Sequence, residues 1–188
     1  MEIRKAVPGD MAGITILFKS CTAHMVQHDL LQWDELYPNT EVFAQDIKDR
    51  GLYVCVTPEN CIIGCVVLNR FQDKEYEEVD WEFTGGIIGV IHRLMVLPEY
   101  EGTGIAHNLL VYAETCAGAQ GMDAIRLDAF PQNQRAIAFY KKHGYRIRGS
   151  VNFRKGLFVC CEKSLICLSG ENREALPIRG QSGNNRIP

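Results

Sequence analysis

VLPEYEGTGIAHNLL, residues 96–110, joins a strand-like run to a helix-like run through two glycines one residue apart. Upstream, IIGVIHRLMVL (87–97) is apolar, rich in β-branched residues and stopped by Pro98, and reads as a long strand. Downstream, Ile105, Leu109, Ala113, Cys116 and Ala117 recur at helical spacing up to Gly121. A glycine turn between strand and helix turns unpaired N–H groups and the positive end of the helix dipole toward one point, which suits a phosphate. Glu101 at the mouth of the turn opposes this. At about 6 Å in water-like dielectric it would cost roughly 0.7 kcal/mol per phosphate charge. Against a doubly charged pyrophosphate that is about tenfold in affinity, which weakens a site without abolishing it.

Two phosphate loops fail on this stretch. No G-x-x-x-x-G-K-[ST] string is present. A dinucleotide loop, G-x-G-x-x-G, would need glycine where His107 stands. The preceding strand also comes mid-chain after a hairpin instead of opening a βαβ unit, and Asp123 near the acidic spacing does not offset these departures.

Working outward, EIRKAV (2–7) alternates as a strand and Pro8-Gly9 turns it into a helix for which Asp10 is the candidate cap. Thr40 is the candidate cap of a second helix ending at Gly51. LYVCVT and CIIGCVVLNRF flank a Pro58-Glu59-Asn60 turn and form a hairpin. QDKEYEEVDWEFTGG (72–86) is acidic and reads as a loop. AIRLDAF is an alternating strand, PQNQRAIAFYKKHG a short helix, and YRIRGSV and LFVCCEKSLICL two antiparallel strands. The order β α α β β β α β α β β defines an α/β fold with a single mixed central sheet flanked by helices. One domain is expected over residues 1–168. The polar segment 169–188 lacks periodicity and is expected to be a flexible tail.

Composition narrows the function class. The chain has 188 residues, 46% hydrophobic and 23% charged, with net charge −3. That balance argues against a dedicated nucleic-acid binder. No run approaches the roughly 20 apolar residues of a membrane span and MEIRKAVPGD is no signal peptide, so a cytoplasmic protein is expected. Most of the eight cysteines fall in strand-like runs, as small buried hydrophobes. Cys21, His24 and His28 share a helical face at ligand-like spacing, but a core cysteine beside two polar-edge histidines explains them better, and no metal is expected.

The loop Glu101-Gly102-Thr103-Gly104-Ile105-Ala106 and the downstream pattern Asn133-x-x-Ala136-x-x-Phe139-Tyr140-x-x-x-Gly144-Tyr145 together resemble the Gcn5-related N-acetyltransferase (GNAT) superfamily. QWDELYP and QDKEYEEVDW look like a bacterial branch of it. The resemblance implies acetyl-CoA as cosubstrate and acetyl transfer to a primary amine by direct attack in a ternary complex. It implies cofactor contacts at Leu94, Met95, Val96, Gly102, Thr103, Gly104, Ile105, Ala106, Asn133 and Tyr140. Tyr140 matches the family's general acid, and His92 stands where some relatives carry a catalytic histidine. A structural histidine is an equal reading of His92, an N-cap an equal reading of Asn133, and Asp80 and Glu82 are further candidates for the base. Arg135, Lys141 and Lys142 are expected to supply positive charge from the next helix.

The acceptor is expected between the first helices and the acidic loop, against Gln32, Trp33, Tyr37, Asp80 and Trp81. Aromatic rings beside carboxylates suit a cationic amine, either a small molecule or a peptide N-terminus. The resemblance also admits a homodimer, since many relatives pair through their final strands. A catalytically idle acyl-CoA sensor on the same fold is the alternative.

Overall fold

A computed structural model describes residues 1–34 and 36–166. The tail expected at 169–188 lies outside them. The elements are β1 (Glu2–Lys5), α1 (Met11–Gln27), α2 (Thr40–Lys48), β2 (Leu52–Val56), β3 (Ile62–Asn69), β4 (Ile88–Val96), α3 (Ile105–Ala119), β5 (Ala124–Ala129), α4 (Gln134–Lys142), β6 (Arg146–Phe153) and β7 (Gly156–Ser164). They come in the expected order. Two caps differ. Asn39, not Thr40, caps α2, its side chain accepting from the Val42 amide at 3.0 Å. Asp10 stands at the start of α1, but its carboxylate takes the Arg4 guanidinium and the Val7 amide instead.

The strands form one seven-stranded sheet in the order β1-β2-β3-β4-β5-β7-β6. Only β4 and β5 run parallel. Alternation along each strand divides the core in two. Ile14, Leu17, Phe43 and Ile47 of α1 and α2 pack on Leu52, Val54, Val67 and Met95. Leu109, Leu110, Ala113, Ile137 and Tyr140 of α3 and α4 pack on Ile63, Ile91, Ile125 and Leu127 from the other face. Tyr76, Val79 and Trp81 close the α1/α2 side over the far half of the sheet, against Val90, Phe158 and Cys160. The acidic 72–86 segment is therefore more than a loop. It holds a short 3-10 helix, Lys74–Glu78, and buries two aromatic rings.

One irregularity positions everything functional. β4 pairs with β5 only at Ile88, Gly89 and Val90, opposite Ala124, Ile125 and Arg126. Both strands continue, to Val96 and Ala129, without pairing further. On its other edge β4 carries a bulge. Cys65 faces Met95 while Val67 faces His92, so two residues of β4 oppose one of β3. Arg93 sits in this bulge with φ 49°, a left-handed conformation costing on the order of 1–3 kcal/mol for a non-glycine residue. An extra residue also shifts the alternation. Ile91 and Leu94 pack toward α3 and α4, while Arg93 reaches Asp46 of α2 on the opposite face.

The far half of the sheet is held by a buried charge pair. Arg126 Nε donates to Glu162 Oε1 at 3.0 Å, and its other nitrogens reach Gln72 Oε1 and the Phe83 carbonyl. The guanidinium lies 4.1 Å from the Trp81 ring centroid. Glu162 also accepts the Glu82 and Phe83 amides. The pair thus fastens the 72–86 segment to β5 and β7. Replacing Arg126 by Met should leave Glu162 buried without its partner and cost about 3–5 kcal/mol, read from the denaturant midpoint at unchanged slope.

Candidate active site

The opening between β4 and β5 leads into a cleft of about 690 Å³. Ile91, His92, Arg93 and Leu94 of β4 form one wall, and Asp128, Ala129 and Phe130 at the end of β5 form the facing wall. Asn133, Ala136 and Tyr140 of α4 close it from one side of the sheet, and Gln32, Trp33 and Tyr37 from the other. Across the top, Asp34 accepts from Arg154 at 2.7 Å and from Lys155 at 3.1 Å, so the α1–α2 connection is clasped to the β6–β7 turn. Those two cations hold the Asp34 carboxyl well below its ordinary range.

The structure brings His92, Leu94, Asn133, Tyr140, Gln32, Trp33 and Tyr37 together in this cleft. It does not bring Asp80 and Trp81 there. Both line a second cavity of about 420 Å³ beyond Tyr76. Trp81 is buried, donates its indole N–H to the Tyr76 carbonyl at 2.8 Å and stacks on Arg126. It supports the wall of the cleft instead of lining it. Met95 is buried in the α1/α2 core, which leaves its backbone, not its side chain, for the cleft.

Gly102, Thr103 and Gly104 form an exposed turn that ends β4's excursion and starts α3. Gly102 has φ 76° and Gly104, the N-cap, φ 88°. A Cβ at either position would meet no atom within 4 Å. Glycine is therefore required by backbone conformation and leaves an open cradle before the first-turn amides of Ile105 and Ala106. Thr103 closes the turn by donating its hydroxyl to the Tyr100 carbonyl at 2.6 Å.

Glu101 points away from an isolated clash. Arg135 of α4 forms an ion pair with it, and His24 stands at 3.9 Å. Arg135 therefore neutralises the acidic residue of the loop instead of supplying surplus positive charge. His107 of the first α3 turn is bonded to His143 at 2.8 Å. His143 Nδ1 lies 2.8 Å from the Phe139 carbonyl and donates to it; in the neutral ring its Nε2 then accepts from His107 Nδ1–H. In the remaining histidine group, the Cys21 thiol donates to the Val96 carbonyl and burial pushes it up to about 12. His28 donates to the His24 carbonyl.

Three titrating groups stand in the cleft, each shifted mainly by burial. His92 is pushed down to about 3 by burial and by Arg93, and its Nε2 has no partner among the described residues. Tyr140 is pushed up by burial and then by Asp128, so it keeps its proton. Asp128 is pushed up to about 6 by burial, against the opposing hydrogen bond of Tyr76. The Tyr76 hydroxyl donates to Asp128 Oδ2 at 2.9 Å. Asp128 is not singled out by the sequence, where AIRLDAF reads as an alternating strand. A readable signal existed: two charged residues, Arg126 and Asp128, on a strand in the middle of the chain's apolar elements.

Asn133 is the N-cap of α4. Its Oδ1 accepts the Ala136 amide at 3.0 Å and caps α4, while no partner among the described residues takes its amide nitrogen. Among the described residues no helix is long and apolar enough to cross a membrane.

Residues 22–145 match the model of the Acetyltransferase (GNAT) family. The chain belongs to that family. An uncharacterized N-acetyltransferase of Mycobacterium tuberculosis is 30% identical over 115 residues, which cover 61% of this chain and 65% of that protein. The match thus spans slightly less than two thirds of the curated relative. Among solved structures, a GNAT-family acetyltransferase of Streptococcus agalactiae superposes with TM-score 0.75 at 20% identity, covering 87% of this chain and 94% of the other. The PaiA N-acetyltransferase of Thermoplasma acidophilum, solved in complex with coenzyme A, gives 0.65 at 19% identity over 87% and 98% of the two chains. At these identities the structural likeness speaks for the fold.

Burial of His92 has a direct consequence. Its folded value lies below the ordinary 6.5, so the unfolded chain takes up the proton first and His92's contribution to stability falls as pH drops from about 6.5 toward 3. Nitrogen-15 spectra of the folded protein should show the His92 ring neutral throughout pH 5–8. A protonation step near 6.5 would contradict the burial argument.

Proposed function

We propose that the chain is an acetyl-CoA-dependent N-acetyltransferase that moves the acetyl group to a primary amine within a ternary complex. The observation that carries this reading is the divergence of β4 and β5, which opens a passage through the sheet between a phosphate cradle and an acidic, aromatic cleft. The residues present fit coenzyme A. Gly102 and Gly104 leave space where a Cβ would intrude, and the α3 amides beyond them suit a pyrophosphate. Arg135 offsets the charge of Glu101, so the loop's own contribution comes from backbone dipoles, with Lys141 and Lys142 further along α4.

Bound acetyl-CoA supplies an activated thioester carbonyl. The unpaired edge of β4, around the bulge at Arg93, offers the amides of Leu94 and Val96 to the pantetheine and to the developing oxyanion. Tyr140 lies on the α4 side of the passage and retains its proton. It serves as the acid that protonates the departing thiolate. Asn133 can donate its amide nitrogen to the cofactor while its oxygen caps α4. Gln32, Trp33 and Tyr37 border the acceptor's end, which suits a small amine or a peptide N-terminus. Asp80 and Trp81, placed behind Tyr76, have only an indirect part.

Calorimetric titration with acetyl-CoA, CoA and NADH tests the reading. Micromolar binding of the two CoA species and none of NADH is expected. Gly104→Val should weaken acetyl-CoA by roughly tenfold, because a left-handed conformation costs a side chain about 1–2 kcal/mol. Tyr140→Phe should bind acetyl-CoA normally and lose about a hundredfold in amine-dependent thiol release. Absence of CoA binding at millimolar concentration would remove the reading. Normal binding with thiol release equally at background in wild type and Tyr140→Phe would make the chain an acyl-CoA sensor.

A further inference from the structure

The cleft contains a base that no motif announced. β4 and β5 are in parallel register up to Val90 and Arg126. Continued by two residues, that register sets His92 and Asp128 across from one another on either side of the opening. Along β5, Ile125, Leu127 and Ala129 face α3 and α4. Asp128 alternates with them and so faces the acceptor side, where the Tyr76 hydroxyl meets it at 2.9 Å. Tyr140 belongs to the other side. The sheet thus separates a carboxylate on the amine's side from a phenol on the thioester's side.

We propose that Asp128 is the general base of the reaction, that Tyr76 positions it, and that the acceptor is a primary alkylammonium whose cation it first receives as a counter-ion. This rests on the acetyltransferase reading above. Asp128 Oδ2 is taken by Tyr76, so a single oxygen is directed to the substrate. The ammonium gives one proton to Asp128, which passes it to solvent. The freed amine forms the C–N bond to the acetyl carbon and the C–S bond breaks. The thiolate takes the Tyr140 proton, and the nitrogen's second proton restores Tyr140. The products are an amide, a thiol and one released proton, so atoms and charge balance.

The groups facing Asp128 support this assignment. Asp73, in the segment before Tyr76, lines the same cleft and raises Asp128 further. Arg93 on β4 acts in the other direction but is held 2.7 Å from Asp46. Cys160 of β7, paired across from Asp128, is pushed up to about 12 and stays a thiol. Cys161 and Tyr140 are likewise held as neutral groups. Asp128, raised to about 6, is a stronger base than an ordinary carboxylate, whereas His92 is left far too weak to deprotonate an amine.

The test separates a base from a structural carboxylate by the acceptor's own basicity. Thiol release from acetyl-CoA would be followed with n-butylamine, 1,4-diaminobutane and 2-phenylethylamine, which are cationic at neutral pH, and with hydroxylamine, which is neutral there. In Asp128→Asn the ratio of alkylamine to hydroxylamine rates should fall about a hundredfold, and Asp128→Glu should recover part of it. In wild type the acid limb of kcat/KM for the alkylamine should lie near pH 6. Tyr76→Phe removes a hydrogen bond that favours the carboxylate, so it should move that limb to higher pH while retaining the Asp128 carboxyl, which guards against an unfolded Asn variant. An unchanged ratio in Asp128→Asn, a limb unmoved in Tyr76→Phe, or a wild-type protein that binds acetyl-CoA and acetylates none of the three alkylamines would each overturn the proposal. Failure to bind acetyl-CoA would instead remove the underlying acetyltransferase reading, and this assignment with it.

Discussion

The parting of β4 from β5 after Val90 is the constraint on which the rest of the molecule depends. Backbone polar groups in the middle of a sheet are almost always paired, because an unpaired buried amide or carbonyl costs about as much as a lost hydrogen bond. Here two adjacent strands leave several such groups without each other. The bulge at Arg93 helps to hold them apart. Its left-handed φ of 49° is secured by the ion pair to Asp46 and the hydrogen bond to Tyr37, both on the α1/α2 side. A strained residue locked by a buried partner from another element is a stable way to keep a sheet open. The unpaired edge then belongs to whatever enters between the strands.

Electrostatics follow the same partition. On the outer face, Arg135 is spent on Glu101 and His107 is bonded to His143, while Lys141 and Lys142 stand in the last turn of α4. The loop's own attraction for a phosphate comes from helix dipole and amides, which are short-ranged and demand close approach. The two glycines, set there by their left-handed conformation, leave that approach open. On the inner face Asp128 and Asp73 line a cleft whose cations are already paired, Arg93 with Asp46 and Arg154 and Lys155 with Asp34. Burial, more than any neighbouring charge, sets the titration of Asp128, His92 and Tyr140, raising the two acids and depressing the base. Trp81 and Arg126, remote from the cleft, act by fixing Tyr76, and through it the orientation of one carboxylate.

Much of this was legible beforehand, for identifiable reasons. The helices and strands carry clean periodicities, and the glycine loop and the Asn133–Tyr145 pattern are local in sequence, so spacing alone located them. The caps were misassigned by one residue at α2, where Asn39 competes successfully with Thr40 for the helix amides. The acceptor side was read by composition. Composition does not say which residues of the 72–86 segment fold inward, and Asp80 and Trp81 lie beyond Tyr76 in a separate cavity.

The sequence by itself determined the order of elements, the mixed sheet, the phosphate-type loop and the family, because each depends on residues close together in the chain. Only the tertiary structure decided which charges meet. Glu101 is paired with an arginine 34 positions away, and Asp128 accepts from a tyrosine hydroxyl 52 positions away. AIRLDAF alternates like a half-exposed strand. Lying between β4 and β7, it is covered on both faces. Whether its aspartate meets open solvent or a cleft depends on strand order, which local pattern does not encode, and burial there raises an ordinary carboxyl.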